Sequence, residues 1–250
     1  MILPDLSNDY YFIKEDYETF LPNKIESNTP EVLKERKNVK IKLEDLHHDI
    51  YPVIKSKRWN IDKHNHPLHL TSSIDLNNAY IPNRINSIWL HYGKTEAELK
   101  KFKKLSEKET FINHIRLQVI VSGNLRSSRL CGVGTWLVVG KANGGYWDRS
   151  YVKQEIRNAN FSQKFYNFLI NLGNGYFIRI NGIKRNVNDF DNEQDFIDFV
   201  RTDTNDEYFI IGKDFEPDDH ALKSDVIVDT VINEFDKLYV LYDFLKTKYV

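Results

Sequence analysis

Five of the eight histidines in this 250-residue chain fall between positions 47 and 69: His47, His48, His64, His66 and His69. Neutral imidazole is the commonest protein ligand for transition metals, so this crowding is the first place to look for chemistry. In an extended segment His64 and His66 point to one side, and His69 to the other unless Pro67 bends the chain. Asp49, or alternatively His48, from the preceding helix completes a candidate ligand set with His64, His66 and His69. A divalent ion held there would lower the pKa of a bound water toward neutrality and make it a nucleophile. The run contains neither H-E-x-x-H nor C-x-x-C and only part of an H-x-H-x-D-H spacing, so a solvated histidine-rich loop fits it equally.

The residues just before this run are basic and aromatic: Lys55, Lys57, Arg58, Trp59 and Lys63. Lysine and arginine neutralise phosphates, and an indole offers a stacking face to an unpaired base. The same residues also suit a helix C-terminus, where cations meet the negative end of the macrodipole. Arg126 and Arg129 supply a further basic region if the strands around 115–139 form a hairpin. The acidic run 213–220 could hold Mg²⁺ through carboxylates, but helix capping accounts for it too. His91 and His114, each at a strand end, are the candidate catalytic side chains, with Lys94 and Arg116 near them in sequence. Cys131 reads as a small buried apolar residue rather than a nucleophile.

Several classes are excluded or disfavoured. No G-x-G-x-x-G or G-x-x-x-x-G-K-[ST] occurs, so no nucleotide cofactor is indicated, and no G-x-S-x-G elbow supports serine catalysis. One cysteine rules out an intramolecular disulfide. The 35 basic and 36 acidic residues leave a formal charge of −1, against a uniformly basic coat but compatible with a local basic face. The opening residues lack the features of a signal peptide, and no apolar run approaches the ~20 residues that span a bilayer, so a cytoplasmic protein without a membrane partner is expected.

These residues need elements to position them. Residues 1–40 read as an extended or partly helical arm, with a helix start at Thr29-Pro30 and a second helix over 43–59 that Pro52 kinks or restarts. Strands are expected at 85–91, 115–121, 133–139, 176–180 and 207–211. Alternation leaves 115–121 half-buried, with Arg116 and Gln118 wet. Thr95 and Glu98 match a capping box. Helices are expected over 148–172, ended by Gly173, over 193–200, and along the apolar stripe Ile227, Val231, Phe235, Leu238, Tyr242 and Leu245, with Asp218, Asp219 or Ser224 as its cap.

The order of elements predicts an α+β fold with a mixed, mainly antiparallel sheet and helices mainly on one face. The division expected is an N-terminal arm with helices over 1–70 and a core domain over 71–250. The functional expectation is a prokaryotic-type intracellular protein acting on DNA or RNA, as a metal-dependent phosphodiesterase or restriction-type nuclease. The alternative is a noncatalytic DNA- or protein-binding module.

Overall fold

The computed structural model describes residues 9–74, 80–103, 113–123, 131–140 and 147–247; the side chains of 64–74, 80–84 and 103 lie outside that set. Arg126 and Arg129 lie outside the described residues. The helices are α1 (Lys14–Glu18), α2 (Pro30–Ser56), α3 (Glu96–Lys103), α4 (Trp147–Glu155), α5 (Ala159–Ile170), α6 (Glu193–Arg201) and α7 (Ile227–Leu245). The strands are β1 (Asp62–Ile74), β2 (Tyr80–Gly93), β3 (Arg116–Ser122), β4 (Gly132–Gly140), β5 (Tyr176–Ile180), β6 (Ile183–Asn186) and β7 (Phe209–Phe215). They form one sheet in the order β1-β2-β3-β4-β7-β5-β6. Every neighbouring pair is antiparallel. The fold is α+β.

Apolar side chains of α1, α2, α4, α5, α6 and α7 enter one core with Leu90, Tyr92, Leu117, Val119, Leu137 and Ile211 of the sheet. A smaller cluster contains strand residues only: Trp89, Ile120, Trp136, Val138, Phe177 and Ile210. Strand side chains alternate between faces, so this second cluster marks the side of the sheet away from these helices. Its existence corrects the half-buried reading of β3. Arg116 and Gln118 are buried, 2% and 4% exposed. Arg116 has aromatic company there, its guanidinium lying 5.0 Å from the Trp89 ring and 5.8 Å from the Tyr208 ring.

Two other corrections concern helices. The helix begun at Thr29-Pro30 does not stop before a second one; α2 is continuous, started by Thr29, whose Oγ1 accepts from the Val32 N–H at 3.5 Å. Pro52 is tolerated because its missing N–H would have met the carbonyl of His48. Both residues lie on the exposed side of α2, where solvent replaces the lost bond. The region 148–172 divides instead into α4 and α5, because Asn158 leaves the helical conformation and accepts from the Asn160 N–H at 3.0 Å. At α3 the capping box forms as its spacing demands: Thr95 N–H donates to Glu98 Oε2 at 2.8 Å, and Glu98 N–H to Thr95 Oγ1 at 3.3 Å.

The arm is more ordered than its irregular aromatics suggest. Phe12, Tyr17 and Phe20 are fully buried, and Tyr10 bridges to Lys223. α7 has no side-chain cap; Asp219 instead caps the short 3₁₀ turn His220–Leu222, accepting from the Ala221 N–H at 2.9 Å. The position expected to divide the chain, after residue 70, falls inside β1, and residues of α2 and α7 share the larger core. Among the described residues no helix is long and apolar enough to cross a membrane.

Candidate nucleic-acid interface

The end of α2 gathers the basic and aromatic residues of the sequence. Its buried stripe, Val39, Leu43, Leu46, Ile50 and Ile54, repeats every three or four residues and fixes which side chains turn outward. The helix closes at Lys57, whose N–H bonds the Val53 carbonyl at 3.2 Å. Arg58 then takes φ +54°, the left-handed turn that ends many helices but that glycine usually supplies. The reversal sends the chain through Trp59 and buried Ile61 into β1.

Tyr51, which sequence reasoning passed over, is the centre of this surface. Its hydroxyl donates to Asp62 Oδ1 at 2.5 Å. Lys55 and Lys63 place their ammonium groups 5.8 and 5.1 Å from its ring. Behind it, the ring stacks on Tyr92 at 6.1 Å and meets the tilted His47 ring at 5.0 Å. Burial, then the bond to Asp62, raises the Tyr51 phenol to about 12, so it stays protonated. Alongside, Trp59 stacks on Tyr239 of α7 with centroids 4.6 Å apart, and the Lys57 ammonium lies 5.4 Å from the indole. Lys57 also pairs with Asp236 of α7, at 2.5 Å. Among the described residues, Lys55, Lys57, Arg58 and Lys63 thus meet only Asp62 and Asp236 as carboxylate partners. Lys55, Arg58 and Lys63 are exposed, while Tyr51 and Trp59 are half-buried.

The histidines divide. His47 is buried, its Nδ1 2.7 Å from the Tyr92 hydroxyl, and burial with the nearby Lys63 and His48 charges lowers its pKa to about 4. His48 and Asp49 are exposed on α2. The side chains of His64, His66 and His69 lie outside the described residues, but their backbone is placed. Lys63 pairs with Tyr92 and Leu68 with Leu90, so residues 64–67 bulge opposite the single residue His91. The simple two-residue alternation expected for His64 and His66 does not hold through such a bulge, and Pro67, with no N–H to donate, belongs in one. Among the described residues, no group of three or more His, Cys, Asp or Glu could hold a metal ion.

The two histidines expected at strand ends occupy different environments. His91 is fully buried on the side of the second cluster, its ring 4.9 Å from that of Trp89 and its backbone paired with Gln118. His114 Nδ1 lies 3.3 Å from Asp148 Oδ2. Lys94, which the sequence grouped with His91 and Arg116, goes to Asp148 instead, at 2.9 Å. Asp148 also accepts from the N–H groups of Ile115 at 2.9 Å and Thr247 at 2.6 Å. Burial works against ionising this carboxyl, but Lys94, His114 and the Ile115 amide outweigh it and hold it well below the usual carboxylate range. With Lys94, His114 and Asp148 all at most 1% exposed, this hub ties β2, β3 and α4 to the chain after α7.

The acidic run is likewise engaged structurally. Asp214 accepts from Trp136 Nε1 at 2.7 Å and pairs with Lys184 at 2.8 Å. Burial, with Glu216 nearby, pushes the Cys131 thiol up to about 11, which suits an inert buried residue. No protein-family model matches the chain, and comparison with curated proteins returns no match.

Proposed function

We propose that this protein binds nucleic acid through the end of α2 and the start of β1. The observation that carries the reading is the arrangement around Tyr51: a half-buried ring flanked by Lys55 and Lys63, beside a Trp59 ring accompanied by Lys57. Exposed ammonium groups supply the phosphate contacts, and the half-buried rings supply stacking for unpaired bases, so single strands are the favoured form. The binding module is preferred over a nuclease because the cations of this surface are open to solvent, whereas the candidate catalytic residues His91 and His114 are buried apart.

The test is fluorescence anisotropy of a labelled 20-nucleotide single strand and the matching duplex, at 50 and 200 mM salt. Saturable binding that weakens with salt, and weakens again in Lys55→Gln/Lys63→Gln, is expected. Absence of binding at 50 mM salt up to about 10⁻⁴ M protein, the weak end of ordinary nonspecific affinity, overturns the proposal.

A second reading, metal-dependent phosphodiester hydrolysis, is favoured by one observation: the bulge carrying His64 and His66 lies opposite His91 in the strand register. In that reading His64, His66, His69 and Asp49 hold a divalent ion whose bound water attacks phosphorus. EDTA-sensitive cleavage of the bound strand, abolished in His64→Ala/His66→Ala, distinguishes the enzyme from the module.

A further inference from the structure

A stripe of cations runs along α4 and into the turn after it at four-residue spacing: Arg149 and Lys153 on the helix, and Arg157 two residues past its end. That spacing puts Arg149 and Lys153 on one side of the helix, and the structure gives each of the three cations a different environment. Arg149 is buried and forks onto the Asp203 carboxylate, with Nε to Oδ2 at 2.8 Å and Nη2 to Oδ1 at 2.5 Å. Lys153 is half-buried and donates to the Asp203 backbone carbonyl at 2.8 Å. Arg157 is exposed, with no ion pair or side-chain hydrogen bond among the described residues. The buried fork therefore staples α4 to the loop after α6 and brings the outer part of the stripe against Arg201. Between them lies a cleft of about 340 Å³, lined by Lys153, Ile156, Arg157, Val200 and Arg201.

Among the described residues, three cations line this cleft and no carboxylate does. Arg201 has a carboxylate contact with Asp198, but it is long, 3.7 Å, and exposed. Compensation of the two helix ends accounts for cations there, and Lys153 does serve a carbonyl, but it leaves Arg157 unused. Ile156 and Val200 give the cleft an apolar floor, and its volume is at the lower end of small-molecule sites. We propose that this cleft binds a phosphate monoester: the phosphoryl group between Arg157, Arg201 and Lys153, the ester body on Ile156 and Val200. Two guanidinium forks and an ammonium match the geometry and charge of a phosphoryl group. The site is separate from the surface around Tyr51 and does not depend on it.

The test is isothermal titration of the full chain with phenyl phosphate and with inorganic phosphate, and anisotropy with 5′-phosphorylated and unphosphorylated oligonucleotides. Phenyl phosphate is expected to bind saturably and severalfold tighter than inorganic phosphate, because only it uses the apolar floor. Arg157→Gln and Arg201→Gln, both exposed substitutions, are each expected to weaken it about tenfold, the scale of one charge-assisted contact. Lys237→Gln, a cation on α7, is expected to change nothing. A tighter complex with the 5′-phosphorylated strand that is lost in Arg157→Gln identifies a nucleic-acid end as the source of the ester; equal binding of the two strands identifies a free small molecule. No saturable heat with 10 mM phenyl phosphate, or equal binding by the Arg157→Gln/Arg201→Gln double variant, overturns the proposal.

Discussion

The Lys94 ammonium lies 2.9 Å from Asp148 Oδ1 with both side chains at most 1% exposed, so one buried ion pair joins the end of β2 to the start of α4. Because Asp148 also receives His114 and two backbone N–H groups, its charge is solvated by the protein in place of water.

Breaking that pair is expected to be costly. Asp148→Asn leaves Lys94 as a buried charge without its counterion, a destabilisation of about 3–5 kcal/mol. Lys94→Met combined with Asp148→Asn is expected to cost less than the two single changes added together. Urea unfolding of the four proteins gives the coupling; strict additivity would mean that the two groups do not interact.

Stability is expected to fall in two acid steps. Unfolded, His47 takes up a proton near 6.5; folded, it does so only near 4. Its contribution is therefore complete above pH 6.5 and declines as pH drops toward 4, by up to about 3 kcal/mol. Asp148, held low in the fold, adds a further decline below about pH 4, where the unfolded carboxyl protonates. Unfolding midpoints measured from pH 8 to 3 check both, and His47→Phe is expected to flatten the upper step.

Arg58 offers a separation of folding from binding. At φ +54° a non-glycine residue costs roughly 1 kcal/mol, so Arg58→Gly is expected to raise the unfolding midpoint. The same change removes an exposed cation from the proposed interface and is expected to weaken oligonucleotide binding by up to about fivefold, the scale of an exposed ion pair. A variant that is both more stable and equally tight would remove Arg58 from the interface.

Each interface lysine is expected to register in salt dependence. The slope of log K against log salt for a single strand changes by about 0.7 for each phosphate that is no longer neutralised. Lys55→Gln and Lys63→Gln are each expected to shift it by that amount, and Trp59→Ala to weaken binding at every salt concentration without altering the slope.

Gly212 tests the second face of the sheet. A methyl group there would come within 2.5 Å of the Thr135 carbonyl oxygen and 2.6 Å of Trp136 Cδ1. Gly212→Ala is expected to cost about 1–3 kcal/mol by overpacking and to move Trp136 fluorescence, whereas Gly173→Ala meets no neighbouring atom and costs only what its φ of +85° imposes.

By itself the sequence determined what depends on near neighbours. The Thr95–Glu98 box, the apolar stripe of α7, the strands of the β3–β4 hairpin and the clustering of cations over 55–63 all follow from periods of two or 3.6 residues and from capping chemistry, which operate within a turn or a strand. Tertiary structure alone decided which polar groups were already taken. Lys57 is matched to Asp236 across 179 positions and Lys94 reaches Thr247 across 153, pairings that no local spacing encodes. Alternation on β3 located Arg116 and Gln118 on one face, but only the assembled sheet, with Trp89 and Tyr208 around Arg116, made that face buried. The physical reason is range: backbone periodicity is a property of the segment, while burial and charge pairing belong to whatever the chain brings back from far away.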